Sequence, residues 1–153
     1  MKSKTKVLIV DDDKVYRDIV GEVVGSLGYT MLKCESYYDA KEAFKKHGPF
    51  HLVVTDLYMP DKKGRMKKLG YDLAKFVNEE SRDNCPTIVL SSESCPFIQC
   101  GLFFSGGSLF ITKPMKREML SVKIQKYAQL GRWCYARDED NKIRLFSGEK
   151  KHV

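Results

Sequence analysis

The stretch KVLIVDDD, residues 6–13, decides the fold class of this chain. Four consecutive apolar residues follow Lys6, and three of them are β-branched. An apolar run without polar alternation is typical of a strand that is buried on both faces, as in a parallel sheet. Three aspartates follow at once, so the sequence predicts a buried strand that ends in a group of carboxylates.

Further along the chain, short apolar runs alternate with helical patterns. The predicted strands are Lys6–Val10, Thr30–Cys34, Leu52–Thr55, Thr87–Leu90 and Leu109–Thr112. A predicted helix follows each strand: one from about Tyr16 to Leu27, then Asp39–Lys46, Tyr71–Glu80, one after Pro96, and Lys116–Leu130. This alternation predicts an α/β fold, a doubly wound five-stranded parallel sheet with helices on both faces.

Length and composition predict one compact domain with a tail. The chain has 153 residues, of which 42% are hydrophobic and 31% charged. No apolar run approaches the roughly 20 residues that span a bilayer, and no signal-peptide core follows the basic start. The five cysteines show no CxxC pair, which favours free thiols. We therefore expect a cytoplasmic protein without a membrane partner.

The net charge of +7 is local rather than global. Five basic residues fall within seven positions, and without them basic and acidic residues are nearly balanced; they are Lys62, Lys63, Arg65, Lys67 and Lys68. No aromatic platform adjoins them in sequence, so the pattern does not favour direct DNA binding.

Polar side chains stand at four predicted strand ends. Asp11 and Asp12 follow the first strand, Asp56 the third, Ser91 the fourth and Lys113 the fifth. In a parallel sheet these ends meet at one edge, where ligands bind. Packed carboxylates require a cation, and oxygen ligands favour Mg²⁺. A carboxylate near a divalent ion and a lysine can attack phosphorus, so we predict a site that forms an aspartyl phosphate.

Four motifs at these strand ends carry a family resemblance. They are VLIVDDDKVYR (7–17), VVTDLYMP (53–60), IVLSSE (88–93) and FITKP (110–114). The chain resembles the receiver domain of two-component response regulators, specifically the single-domain, chemotaxis-regulator-like kind. The resemblance implies a flavodoxin-like (βα)5 receiver fold over residues 1–130, a C-terminal extension over 131–153, and a bacterial, cytoplasmic protein.

The resemblance also implies a phosphoacceptor and its metal ligands. Asp56 would accept the phosphoryl group from a phosphohistidine on a sensor histidine kinase or a phosphotransfer protein. Mg²⁺ would be held by Asp56, by Asp12 directly, by Asp11 through water, and by the backbone carbonyl of Tyr58. Asp13 is instead predicted to be the N-cap of the first helix.

Further roles follow from the same resemblance. Ser91 and Lys113 would bind phosphoryl oxygens, with a cis Lys-Pro bond after Lys113. Phe110 is at the position of a switching aromatic that rotates inward as Ser91 moves. Tyr58 and Glu93 are at positions that tune hydrolysis, and the bulk of Tyr58 is expected to slow it.

The chain departs from the family at two internal segments. Residues 65–70 form a lysine-rich insertion near the site edge, which is either a solvated loop or a surface for an acidic partner or a phosphate group. The predicted fourth helix, residues 95–104, is apolar on nearly every side. It belongs to the surface of the fourth helix, fifth strand and fifth helix, which in the family reports phosphorylation. We expect it to contact a downstream protein or a second copy in a homodimer, or to be covered by the tail.

The tail, residues 131–153, is the third departure. Its segments Trp133–Arg137 and Ile143–Phe146 are strand-like, so a β-hairpin is predicted. The tail is too short for a DNA-binding output domain, and we expect a stand-alone switch that acts through other proteins. Such a protein transfers phosphoryl only onto itself and is not an enzyme in the usual sense.

Two alternatives remain at this point. The stretch from Leu8 to Val15 also fits a haloacid-dehalogenase-like phosphatase, with Asp11 as nucleophile and Asp13 as acid-base. That hypothesis leaves Asp56 unexplained, and the acidic pair expected after Lys113 is missing. The other alternative is a degenerate receiver that serves only as a docking module.

Overall fold

The computed structural model describes residues 4–82, 84–93 and 95–139. In this part of the chain the strands are β1 (Lys6–Val10), β2 (Thr30–Cys34), β3 (Leu52–Asp56), β4 (Met59–Pro60), β5 (Met66–Lys67), β6 (Thr87–Ser91) and β7 (Leu109–Thr112). The helices are α1 (Lys14–Ser26), α2 (Tyr37–His47), α3 (Leu69–Glu80), α4 (Pro96–Ser105) and α5 (Arg117–Glu139). Five strands form one parallel sheet in the order β2-β1-β3-β6-β7. The predicted doubly wound, flavodoxin-like fold is confirmed.

Helices cover both faces of this sheet. Helices α1 and α5 bury apolar side chains against one face, among them Val20, Val24, Leu120 and Ile124. Helices α2 and α3 cover the other face with Ala40, Phe44, Leu73 and Val77. Helix α4 contributes mainly Ile98, which packs with Leu57 and Val89. The strands are therefore buried on both sides, as their continuous apolar runs predict.

The strand order reverses at β1, which lies between β2 and β3. The chain moves outward from β1 to β2 and then crosses back to β3, β6 and β7. A crevice opens at such a switch point beyond the carboxyl ends of the strands. The residues that follow β1 and β3 therefore line the crevice.

Residues 65–68 of the predicted lysine-rich insertion form one side of a hairpin, and its last two residues, Leu69 and Gly70, belong to α3. Strands β4 and β5 pair antiparallel, with Met59 opposite Lys67 and Pro60 opposite Met66. The turn between them contains Gly64, whose φ of 82° lies in the left-handed region that favours glycine. Helix α3 then begins at Leu69, two residues before the predicted start.

The first predicted strand of the tail is wrong. Residues Trp133–Arg137 belong to α5, which continues through Glu139. The helix can pass close to the start of β3 because Gly131 has no side chain: a Cβ there would overlap the carbonyl oxygen of His51. Arg132 also donates to the Thr5 hydroxyl at 3.3 Å. The second predicted strand, Ile143–Phe146, lies outside the described residues.

Two further findings concern the cysteines and the helices. The five cysteines are free thiols, and Cys34, Cys85 and Cys134 are buried. Across residues 4–82, 84–93 and 95–139, no helix combines the length and apolar character needed to cross a bilayer.

Candidate functional site

The carboxyl edge of the sheet brings the predicted carboxylates together. Asp11 and Asp12 directly follow β1, and Asp56 is the last residue of the neighbouring strand β3. One oxygen from each of the three carboxylates lies within 4.8 Å of the others. Asp11 is only 2% exposed, whereas Asp12 faces solvent. The group thus has a buried floor and an open side, and its oxygen-only ligand set fits a hard divalent cation such as Mg²⁺.

Lys113 is the cation of this group. Its Nζ lies 3.1 Å from Oδ1 of Asp56 and 3.2 Å from Oδ2 of Asp11. The lysine reaches the acids because its backbone N–H donates to the carbonyl of Ser91 and thereby continues the pairing of β7 with β6. The Lys113–Pro114 peptide bond is cis, as the resemblance implies.

Burial and charge together set the ionisation of the site. Burial raises the pKa of Asp56 to about 6, the negative charge of Asp11 adds to this rise, and Lys113 opposes it. Burial also raises the pKa of Asp11, against the opposing effects of the Asp13 backbone N–H and Lys113. For Lys113, burial favours a lower pKa, but Asp56 and Asp11 outweigh it and raise the pKa. The single positive charge of Lys113 therefore does not offset the negative charge of the acids. A bound divalent cation would supply the missing positive charge.

Tyr16 is a site residue that sequence reasoning missed. Its ring centroid lies 4.0 Å from Nζ of Lys113, within the range of a cation–π interaction. The ring occupies this position because α1 begins at Lys14, immediately beyond the acid-rich loop. The one local signal was the aromatic residue in the first turn of α1, and nothing near it in sequence identifies its partner.

The loop after β1 is held by its own polar groups. The carboxylate of Asp13 accepts the backbone N–H of Val15 at 2.9 Å, so the predicted N-cap is confirmed. Asp11 accepts the N–H of Asp13 at 2.9 Å, and Arg17 donates to the carbonyl of Asp11 at 2.8 Å. Asp13 caps the helix, which leaves the phosphatase alternative without the free acid-base that it assigned to this residue.

Ser91, Tyr58 and Glu93 line the same edge. Ser91 ends β6 and is buried, and its hydroxyl accepts the N–H of Glu93 at 3.1 Å. The Tyr58 hydroxyl donates to the Glu93 carboxylate; burial raises the pKa of Tyr58, and the charge and hydrogen bond of Glu93 raise it further. A side-chain bridge therefore joins the loop after β3 to the loop after β6.

Phe110 lies in β7 and is half-buried. It packs against the cluster of Leu57, Val89 and Ile98, which connects the end of β3 to α4. Tyr71 of α3 packs against the same cluster, and its hydroxyl donates to the carbonyl of Ile98. The predicted switching aromatic is thus in contact with the helix whose outer face is apolar.

The chain is similar to known proteins in sequence. A family model described as "Response regulator receiver domain" matches residues 7–125. The chain is 28% identical over 152 residues to the 3',5'-cyclic-nucleotide phosphodiesterase regA of Dictyostelium discoideum, covering 97% of this chain and 18% of that protein. It is also 28% identical over 122 residues to the chemotaxis protein CheY1 of Helicobacter pylori, covering 78% of this chain and 94% of the relative.

A solved structure shows the same fold. It is a CheY-like response regulator receiver domain protein from Methanospirillum hungatei JF-1, with a TM-score of 0.73 and 20% identity. The alignment covers 85% of this chain and 98% of that structure.

Proposed function

The chain belongs to the response regulator receiver domain family, and on this premise we propose that Asp56 accepts a phosphoryl group from a sensor histidine kinase or a phosphotransfer protein. A carboxylate oxygen of Asp56 attacks phosphorus, and the phosphorus–nitrogen bond to the donor histidine breaks. The histidine ring nitrogen keeps the electron pair and takes a proton from solvent. The protein is then a switch that modifies itself and turns over no other substrate.

One observation carries this proposal: Nζ of Lys113 lies between Asp11 and Asp56, 3.2 and 3.1 Å from their carboxylates. An ammonium at this distance from the nucleophile can pair with an oxygen of the incoming phosphoryl group. Ser91 ends the adjacent strand β6 and offers a hydroxyl to a second oxygen. Both groups stabilise negative charge that develops during transfer.

The acid group of Asp11, Asp12 and Asp56 fits Mg²⁺, and the backbone carbonyl of Tyr58 would complete the set. When bound, the ion neutralises charge as the phosphoryl group arrives. Asp11 is buried and fixed by the Asp13 N–H, so its carboxylate orientation is set before any ion arrives. Asp12 faces solvent, which suits a ligand on the entry side.

The Tyr58–Glu93 bridge supports slow hydrolysis of the aspartyl phosphate. A tyrosine two residues after Asp56 adds bulk on the side from which water would attack. Its hydroxyl is already bonded to Glu93, which holds the ring at the edge. Tyr58→Asn is expected to shorten the lifetime of the phosphoryl group, and an unchanged lifetime of seconds in both proteins would contradict this role.

The output surface in this proposal is that of α4, β7 and α5. Phe97, Phe103 and Phe104 of α4 are 88%, 82% and 83% exposed. Such an apolar surface favours a protein contact, with a downstream target or a second copy of the chain. Phe110 packs against the inner side of α4, so its inward rotation would change how this helix is supported. Light scattering with and without a phosphoryl mimic tests the homodimer.

Cytoplasmic location and the absence of direct DNA or membrane binding belong to the same proposal. The five free thiols support a reducing compartment. That the chain acts without an attached output domain stays a prediction. The relative regA is named as a phosphodiesterase, but the chain spans only 18% of its length. We do not extend that activity to the site described above.

The experiment is intact mass after incubation with acetyl phosphate, with and without Mg²⁺. Wild type is expected to gain one phosphoryl group only with Mg²⁺, and Asp56→Asn none. Asp13→Asn is the matched control, because it removes the same charge nearby while asparagine still caps α1. No gain in the wild type, with the fold intact, would favour the docking-only alternative.

A further inference from the structure

The hairpin of residues 59–68, here the basic hairpin, is a concentrated positive surface at the phosphoacceptor edge. It includes β4, β5 and the turn between them. Its cations are Lys62, Lys63, Arg65, Lys67 and Lys68, and its one acid is Asp61. All five cations are exposed. No part of the phosphotransfer site described above uses them.

Asp61 gives this hairpin a defined shape. Its Oδ1 accepts the backbone N–H groups of Lys63 and Arg65, both at 2.9 Å. Its Oδ2 pairs with Arg65 Nε at 3.1 Å and Lys67 Nζ at 3.7 Å. The Asp61 side chain is only 11% exposed, and these contacts hold its pKa below the ordinary value, chiefly through the Arg65 N–H. These contacts distinguish the hairpin from the alternative prediction, a solvated loop without fixed structure.

The hairpin is also fixed relative to Asp56. At its start, Leu57 and Met59 are fully buried. At its end, the N–H of Gly70 donates to the carbonyl of Leu57 at 2.9 Å. Gly70 approaches β3 so closely that a Cβ would overlap the backbone oxygen of Asp56. The hairpin is therefore anchored on both sides to the peptide that carries the phosphoacceptor.

Three of the cations are available to a partner. Arg65 and Lys67 are paired with Asp61, but within residues 4–82, 84–93 and 95–139 neither Lys63 nor Lys68 forms an ion pair. Lys62 rests over the ring of Tyr38, with Nζ 5.1 Å from its centroid, an exposed contact that a partner carboxylate can replace or join.

We propose that the basic hairpin docks a carboxylate-rich surface of the protein that delivers the phosphoryl group to Asp56. This inference rests on the proposed function. Lys63 is seven residues beyond Asp56, so the two lie at most about 25 Å apart. A standard interface buries about 800 Å² on each partner and is about 30 Å across. One partner surface can therefore cover the hairpin while its phosphohistidine faces Asp56.

An acidic protein suits this surface better than a nucleic acid does. The three available cations are lysines, which act as point charges without the planar fork of arginine. The neighbouring aromatic side chain, Tyr38, is half-buried, and Tyr37 contacts its ring. No exposed aromatic lies on the hairpin itself to stack a base.

The test is binding of a fluorescently labelled polyglutamate peptide of about 20 residues to the full chain, by anisotropy at about 0.02 M and about 0.15 M salt. Wild type is expected to bind, more weakly at the higher salt. The triple variant Lys62→Gln, Lys63→Gln, Lys68→Gln keeps Asp61 and its two partners. A loss of about twofold for each of the three exposed cations lowers its affinity about eightfold.

The matched control removes three exposed lysines away from this edge: Lys45→Gln, Lys46→Gln and Lys75→Gln. It has the same net charge as the hairpin variant and is expected to bind within about twofold of wild type. Equal losses in the two variants, or no binding by wild type at either salt, would overturn the proposal. Tighter, hairpin-dependent binding of a single-stranded oligonucleotide of matched charge would also overturn it.

This readout does not require phosphorylation. Absence of a mass gain from acetyl phosphate would remove the proposed function whatever the peptide result. Conversely, normal phosphorylation without hairpin-dependent binding would overturn the docking proposal and leave the proposed function intact.

Discussion

Nζ of Lys113 lies 4.0 Å from the ring centroid of Tyr16 while it also contacts the carboxylates of Asp11 and Asp56. Two carboxylates and one aromatic face thus fix the ammonium group. The aromatic contact differs from the two carboxylate contacts, because the Tyr16 ring is neither a phosphoryl acceptor nor a metal ligand in the proposed reaction. Tyr16 can therefore hold the lysine before and after Asp56 is modified.

Loss of this aromatic face is expected to slow phosphorylation. A partly buried cation–π contact contributes about 0.5–2 kcal/mol, so we expect Tyr16→Leu to react with acetyl phosphate about two- to thirtyfold more slowly. Tyr16→Phe keeps the face and is expected to stay within twofold of wild type. The rate of mass gain measures both. If Phe were as slow as Leu, the hydroxyl rather than the ring would be responsible.

Mg²⁺ is expected to stabilise the fold through Asp12. A ligand at about a hundred times its dissociation constant adds about 2.7 kcal/mol to the free energy of unfolding. Asp12→Asn is expected to lose most of this gain, because it removes one of three converging carboxylates. Asp13→Asn is expected to retain it. Urea unfolding with and without Mg²⁺ measures the gain, and equal gains in both variants would exclude Asp12 as a ligand.

The packing of α5 beyond residue 130 gives a prediction on stability. In Gly131→Ala, the new Cβ would overlap the carbonyl oxygen of His51, and such overpacking costs about 1–3 kcal/mol. Gly25→Ala in α1 is the control, since the nearest atom to its Cβ, Cε of Met31, is 3.4 Å away. The control is expected to be neutral or more stable by up to about 1 kcal/mol. A harmless Gly131→Ala would argue against this contact in solution.

His51 predicts a pH dependence of stability. Its Nδ1 accepts the backbone N–H of Lys6 at 3.0 Å, and burial, with the nearby charge of Arg132, lowers its pKa. Around pH 6.5 the imidazole of His51 therefore takes up a proton in the unfolded chain but stays neutral in the folded chain. The stabilising contribution of neutral His51 is complete above that pH and is lost as the pH falls below it.

The measurement is the unfolding free energy of wild type and His51→Asn between about pH 8 and about pH 5. Asparagine offers an acceptor oxygen in place of Nδ1 but does not titrate. Wild type is expected to lose more stability than the variant toward acid. Asp56 titrates in the same range with the opposite sign but does so in both proteins, so it cancels in the difference. Parallel curves would contradict the prediction.

The sequence predicted those features that depend on local patterns. Each strand of the sheet was found within a residue or so, because a run such as Val7–Val10 has no other stable arrangement than burial on two faces. The positions of Asp11, Asp56 and Lys113 at one edge then follow from parallel strand direction alone. Their separations of a few ångströms do not, since these depend on how the side chains settle in the crevice.

The features that sequence reasoning missed depend on contacts between distant residues. Trp133–Arg137 is strand-like in composition, yet it is helical, and this helix packs closely on His51, eighty residues away in the chain, because Gly131 has no side chain. The contact of Tyr16 with Lys113 likewise joins the first turn of α1 to the end of β7. Residues 65–70 were predicted to be an insertion, but the pairing of β5 with β4 was not predicted. It depends on the turn between them, in which the carboxylate of Asp61 accepts two backbone N–H groups.

Helix α5 also determines where the described part of the chain ends. Its 23 residues extend about 34 Å, and past Gly131 it runs beside His51 and Thr5, which precede β3 and β1. Both ends of the described chain therefore lie at the pole opposite Asp56. A fluorophore or surface tether attached at the exposed Lys4 would therefore lie far from Asp56 and would leave that edge of the sheet open to a partner protein.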